Sequence, residues 1–274
     1  MKISILAENN VLSDSFQSEH GLSMLIEAEG RSILFDMGAS DIFCANAAAM
    51  SIDLSGVDLA VLSHGHYDHG GGLAAFLAGN GHAPVYVSKH VFGDYRLRQE
   101  DSETLYIGID PTFAESDRFR FADGRLDLAA DAILFSGVSG DYPRPSGNSR
   151  LLMGTEGDYL PDDFHHEQNL LLTCGGKRVL FAGCAHSGIV NILDHCRSLC
   201  GAYPDVVLGG FHLIDRGTDP KDLAELNALA GRLLESGAMF YTCHCTGLPA
   251  YEHLRRVMGE RIEYLACGAQ LTLP

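Results

Sequence analysis

Three imidazoles and one carboxylate fall within six positions of this chain. They are His64, His66, Asp68 and His69, in the run Ser63-His64-Gly65-His66-Tyr67-Asp68-His69-Gly70-Gly71. Imidazole suits zinc or iron, and a carboxylate compensates the charge of a cation. Histidines can also cap helices or sit in polar loops, but four ligand types at this spacing favour a metal site. The preceding residues, Val57-Asp58-Leu59-Ala60-Val61-Leu62, read as a buried strand. If strand geometry persists past its end, His64 and His66 point the same way, and Gly65 lets the backbone bend between them. Gly70-Gly71-Gly72 then leads into a helix-like stretch, Leu73 to Leu77.

The pattern H-x-H-x-D-H after a strand resembles the metallo-β-lactamase superfamily of binuclear metallohydrolases. The resemblance implies an α/β (α+β) fold, an αββα sandwich of two similar halves. It implies that His64 and His66 face one metal, and that Asp68 and His69 face a second. Asp36-Met37-Gly38, at another strand end, resembles the superfamily's first motif. That places Asp36 beside the pocket, supporting it through hydrogen bonds.

Three further histidines follow strand-like runs: His186 after Val179 to Gly183, His212 after Val206 to Leu208, and His244 after Met239 to Thr242. A lone histidine is more often structural than a ligand. An incomplete metal site reverses that weighting, because loops from separate segments converge at one end of such sheets. His186 is the expected partner of His64 and His66, and His244 that of Asp68 and His69. His212 reads as a ligand, a proton shuttle or a substrate contact.

The chain departs from the superfamily pattern at Gly183-Cys184, where a strand end of the form Gly-Asp would supply a bridging carboxylate. Cys184 either binds a soft metal as thiolate or packs as a small hydrophobe, and the frequent burial of unpaired cysteines favours packing. The runs 183–193, 209–213 and 244–247, with Glu167-Gln168 and Tyr106-Ile107-Gly108-Ile109, resemble one branch of the superfamily. It is the branch of 7,8-dihydropterin-6-methyl-4-(β-D-ribofuranosyl)aminobenzene-5'-phosphate synthases.

The elements that must carry these residues alternate between β and α. A hairpin is expected over 21–28 and 31–35, helices near 41–50, 189–199, 219–236 and 249–258, and strands over 84–87, 167–173, 178–182, 205–208, 239–242 and 262–266. Residues 90–131 read as an insertion in a single domain spanning 1–274, with Phe92 to Glu100 as helix and short strands at 105–109 and 118–121. Residues 141–148 read as a loop walling the pocket.

With 274 residues, 46% of them hydrophobic, the chain can bury a full core. Its net charge of −17 argues against nucleic acid or an anionic membrane as partner. No apolar run is long enough to span a bilayer or act as a signal peptide, and eight cysteines without a regular framework fit reduced thiols in a cytoplasm.

The expected function is that of a metal-dependent hydrolase of a small phosphorylated or ester substrate. One or two divalent ions, zinc foremost and manganese or iron also suited, would act through a metal-bound hydroxide. Asp68 would orient the nucleophile and His212 would pass a proton to the leaving group. A transferase of the branch's kind, binding a phosphoribosyl donor, is the alternative, and Lys89, Arg96 and Arg144 are its candidate phosphate contacts. A non-catalytic metal sensor or redox module using Cys184 and Cys243-His244-Cys245 is a third reading.

Overall fold

The computed structural model describes every residue except 101–102, 156–157, 215 and 218. Two seven-stranded sheets and one four-stranded sheet make up its β structure among the described residues. The first large sheet runs in the order Gln270–Thr272, Lys2–Ala7, Ser23–Ala28, Arg31–Phe35, Leu59–Val61, Val85–Ser88, Phe119–Ala122. The second runs Ile262–Tyr264, Met239–Thr242, Val206–Gly209, Lys177–Phe181, Gln168–Cys174, Ala132–Ser136, Arg125–Ala129.

Alternation of side chains along each strand builds the layers. Met24, Ile26, Ile33 and Phe35 of the first sheet meet Leu170, Leu172, Val179 and Phe181 of the second in one core between the sheets. The intervening residues face outward under helices. Leu25 and Leu34 pack with Phe43 of the helix Ile42–Ala49 and Phe76 of the helix Leu73–Gly79. Leu171, Leu180 and Val207 pack with the helices Ile189–Cys200, Pro220–Glu235 and Leu248–Met258. The result is the αββα sandwich expected from the sequence.

Each large sheet combines antiparallel strands with a parallel run. In the first, Arg31–Phe35, Leu59–Val61 and Val85–Ser88 are parallel neighbours. In the second, Lys177–Phe181, Val206–Gly209 and Met239–Thr242 are. Parallel strands end on the same side, so the loops after Phe35, Val61, Phe181, Gly209 and Thr242 open along one rim of the sandwich. Those five loops carry Asp36, His64, Cys184, His212 and His244 in turn.

One element differs from expectation. Residues 94–98 form a strand, not a helix, paired antiparallel with Leu151–Thr155 and Thr104–Tyr106. Tyr95 and Leu97 pack with Leu151 and Met153, while Arg96 lies over the rings of Tyr106 and Tyr159. The run Asp-Tyr-Arg-Leu-Arg therefore has period two, and its two arginines obscure it. The strands 125–129, 132–136, 151–155, 158–161 and 270–272 had no counterpart in the sequence reading. Segment 90–131 supplies strands to all three sheets. Its residues 107–108 hydrogen-bond the metal-loop backbone, with Tyr67 N–H donating to the Ile107 carbonyl at 2.8 Å and His66 bridging Gly108. No helix among the described residues is long and apolar enough to cross a membrane.

Candidate metal centre

The backbone must bend sharply to deliver these side chains. Asp36, Ala185, His212 and His244 all have positive φ, between 50° and 60°, a region that L-residues with a Cβ occupy at some cost. Gly183 lets the two sheets approach, because a Cβ there would stand 2.1 Å from Ser63 Oγ.

Asp36 organises the loop that follows the strand Leu59–Val61. Its Oδ1 accepts the Ser63 N–H and its Oδ2 the Ser63 hydroxyl, both at 2.7 Å. The same Oδ2 accepts from His69 Nδ1 at 2.6 Å. Because the Ser63 proton goes to Asp36, Ser63 Oγ takes the Nδ1–H of His64, 2.8 Å away. Asp36 thus acts as a hydrogen-bonding support behind two imidazoles.

The other rings are fixed from behind in the same way. His186 Nδ1 lies 3.0 Å from Asn148 Oδ1, and its backbone N–H donates to Glu167 Oε1 at 2.6 Å. His244 Nδ1 lies 2.8 Å from Asn9 Oδ1, and its backbone N–H donates to Glu8 Oε1 at 2.6 Å. An amide oxygen can only accept, so each Nδ1 carries the proton and each Nε2 presents a lone pair. The Nε2 atoms of His64, His66, His186 and His244 are buried and have no hydrogen-bond partner. Buried nitrogens are normally satisfied. Four that are not, converging in one place, match the ligand atoms of a divalent metal site.

Of the five sets of possible ligand atoms lying within 4.8 Å of one another among the described residues, three overlap on the motif: Asp68, His69, Cys184 and His244; His64, Cys184 and His186; His64, His66 and Asp68. The rings of His64, His66 and His186 have centroids 4.6 to 5.0 Å apart. Asp68 Oδ2 stands 3.3 Å from His244 Nε2, 3.7 Å from His69 Nε2 and 3.4 Å from His20 Nε2. Nitrogen, oxygen and sulfur donors so arranged fit zinc or a similar borderline cation.

Charges follow the packing. Burial, then the neighbouring imidazoles, holds His64 well below the usual histidine range. His186 is low for the same reasons, with His212 first among its neighbours. Burial works against the charge on Asp68, but His69, His244 and His20 hold its carboxyl well below the usual range. Burial also opposes a charge on His69, yet Asp36 and Asp68 push it up to about 9. A protonated His69 must release a proton to become a ligand.

Cys184 is buried, with Sγ 3.1 Å from His69 Nε2, and belongs to two of the three sets. It is absent from the hydrophobic clusters, whereas Cys243 sits in the core between the sheets. It is thus both buried, as the packing reading expects, and close to candidate ligand atoms. His212 lies beside His186, ring centroids 4.3 Å apart.

A cavity of about 540 Å³ opens over His66, Asp68, Cys184, His186 and His212. The three cations suggested from sequence do not line it. Lys89 pairs with Asp123, and Arg96 pairs with Asp94 at 2.8 Å. Arg144 donates to the Asp163 carbonyl at 3.3 Å and walls a separate apolar cavity. Arg150 and Arg216 stand in the main cavity instead. Sequence reasoning also passed over Glu8, Asn9, His20 and the pair Asp162–His166, and gave Asn148 no part beyond its loop. His166 Nδ1 accepts the Gly65 N–H at 2.8 Å, and its Nε2 faces Asp162 Oδ2 at 3.1 Å. Glu8 and Asn9 directly follow the strand Lys2–Ala7, so the strand-end rule that found the histidines would have found them.

A solved structure described as a metal-dependent hydrolase of the β-lactamase superfamily, Tm1679, superposes with a TM-score of 0.83 at 26% identity, covering 100% of this chain and 99% of that one. An uncharacterized protein of Methanocaldococcus jannaschii, MJ0448, is 28% identical over 262 residues, 93% of this chain and 94% of its own length. The 7,8-dihydropterin-6-methyl-4-(β-D-ribofuranosyl)-aminobenzene-5'-phosphate synthase of the same organism is 28% identical over 286 aligned residues, 98% of this chain and 95% of its own length. The family model of the metallo-β-lactamase superfamily matches residues 19–233, and the chain, with its αββα sandwich, belongs to that superfamily.

Proposed function

We propose that this protein is a metal-dependent hydrolase of a small ester or phosphoester. The observation that carries the reading is the convergence beside the main cavity of four buried imidazole Nε2 atoms that make no hydrogen bond. His64, His66 and His186 would hold one divalent ion, and Asp68, His69 and His244 a second, with Cys184 between them. A bound ion supplies Lewis acidity, lowering the pKa of water and polarising the bond to be cleaved. The chain's residues do the rest. Asn9, Asp36, Ser63 and Asn148 keep the rings in one tautomer and orientation. Asp68, which lines the cavity, can orient an attacking water through its carboxylate. Leu97, Leu105 and Ile107 wall the cavity with apolar surface, and Arg150 offers charge to an anionic substrate.

Turnover of an ester and phosphoester panel should disappear on chelation and return with added zinc. Full activity in metal-free protein would sink the reading. Metal content per chain tests the role of Cys184. Cys184→Ala should lose about half the metal, since the ion beside Asp68, His69 and His244 loses its sulfur, while Cys184→Asp should retain it. Equal metal in wild type and Cys184→Ala would remove sulfur from the centre.

The full-length similarity to a synthase favours a second reading, transfer to an amine with loss of diphosphate. The same ligands would then bind the diphosphate. Pyrophosphate release from a pterin-methyl or phosphoribosyl diphosphate with an arylamine acceptor supports this reading, and its absence excludes those donors.

A further inference from the structure

The hydrolase reading leaves two side chains of the cavity unused, Cys245 and His212. Together with Cys184 they place two sulfurs and an imidazole nitrogen within 4.8 Å of one another. The three residues follow neighbouring parallel strands, Lys177–Phe181, Val206–Gly209 and Met239–Thr242, so they descend from adjacent loops onto one point.

Packing does not account for this arrangement. Cys245, like Cys184, is buried yet absent from the hydrophobic clusters that contain Cys196 and Cys243. The backbone is shaped around the sulfur. Gly210 passes so close that a Cβ there would stand 2.3 Å from Cys245 Sγ. The His212 N–H donates to the same Sγ at 3.2 Å, and His212 holds a φ of 51° to do so. Nδ1 of His212 is buried without a hydrogen-bond partner. The Cys245 Sγ lies 3.7 Å from the Cys184 carbonyl oxygen, so the two sulfur-bearing loops meet at this point. The thiolate is the form of cysteine that binds metal.

We propose that Cys184, Cys245 and His212 form a sulfur-rich site for a thiophilic cation of the zinc and cadmium class, distinct from the two histidine–carboxylate positions. Two sulfurs and one imidazole select soft and borderline ions and discriminate against magnesium, calcium and manganese. Cys184 is shared with the Asp68–His69–His244 set, so the two positions compete for it or are bridged through it. His212 is then a ligand and not the proton donor suggested from its sequence context.

The test is spectroscopic and independent of turnover. Metal-free protein is titrated with cadmium, and sulfur-to-cadmium charge-transfer absorbance is read at saturation. Wild type should show the absorbance of two thiolates, and Cys245→Ser should lose about half of it. Cys243→Ser, which alters a buried thiol in the core, should leave it unchanged. His212→Gln should weaken the sulfur-linked binding step by about tenfold or more. Wild-type absorbance in Cys245→Ser overturns the proposal. If Cys245→Ser does not fold, cadmium NMR of the wild type decides. A resonance in the two-sulfur range supports the site, and resonances confined to the one-sulfur and nitrogen–oxygen ranges overturn it.

Discussion

His64→Ala should abolish one metal position and lower turnover by a factor on the order of 1,000. His64 Nε2 belongs to two of the ligand sets and has no other partner. Its ring is fully buried and fixed by Ser63 through Nδ1, so no neighbouring side chain can swing into its place. Metal catalysis contributes several kcal/mol of transition-state stabilisation, and each 1.36 kcal/mol is about a factor of ten. The substitution also leaves a void bounded by His66, His69 and His186, whose rings all stand within 5.0 Å of it. Metal analysis and turnover, measured on the same preparation, check both parts. Full metal content in His64→Ala would remove the central assignment.

Asp36→Asn should cost about 10 to 100-fold in metal affinity although Asp36 is not placed as a ligand. Asparagine tolerates the left-handed backbone that Asp36 adopts, so the loop can form. It cannot replace the hydrogen bonds. Asp36 Oδ2 accepts from both the Ser63 hydroxyl and His69 Nδ1, and an amide NH2 in that place would point donors at donors. Flipping the amide only transfers the clash to the Ser63 N–H. Asp36→Ala should be worse, leaving His69 without its buried counter-charge and costing about 3–5 kcal/mol of stability. Metal competition titrations and denaturant melts of the two variants separate the affinity loss from the folding loss. Wild-type affinity in Asp36→Asn would show that the imidazoles hold their orientation unaided.

The candidate ligands were legible in the sequence because each lies within eight residues of the end of a strand whose apolar run is unmistakable. Val61, Phe181 and Thr242 mark where His64, Cys184 and His244 must emerge. What was not legible was anything held by long-range pairing. The strand 94–98 has the composition of a surface helix and becomes a strand only because Leu151–Thr155 lies beside it. Arg150 and Arg216 reach the cavity by the paths of loops, which no local pattern encodes, although Arg216 pairs with Asp222 and Glu225 just as Lys89 and Arg96 pair with Asp123 and Asp94. For Cys184 the sequence left packing and ligation open, because a thiol in sequence carries no sign of its neighbours. Its 3.1 Å contact with His69 Nε2 is the kind of fact the sequence does not hold.

The strand Lys2–Ala7 is hydrogen-bonded to Gln270–Thr272, and the Met1 amino group donates to the Leu273 carbonyl at 3.0 Å. Glu8, at the end of that first strand, clasps the backbone of His244 and accepts from the hydroxyl of Tyr264. This sets an order of events during synthesis. The segment 64–69 leaves the ribosome early, but the Glu8 cradle for His244 cannot close until the chain has run 236 residues beyond Glu8, and closing a loop of that length has an entropic cost. A nascent chain can therefore offer an ion only a fragment of its final coordination. For the proposed centre, full coordination would then form only after the chain is released, so loading would answer to the ion available at that stage and not to translation.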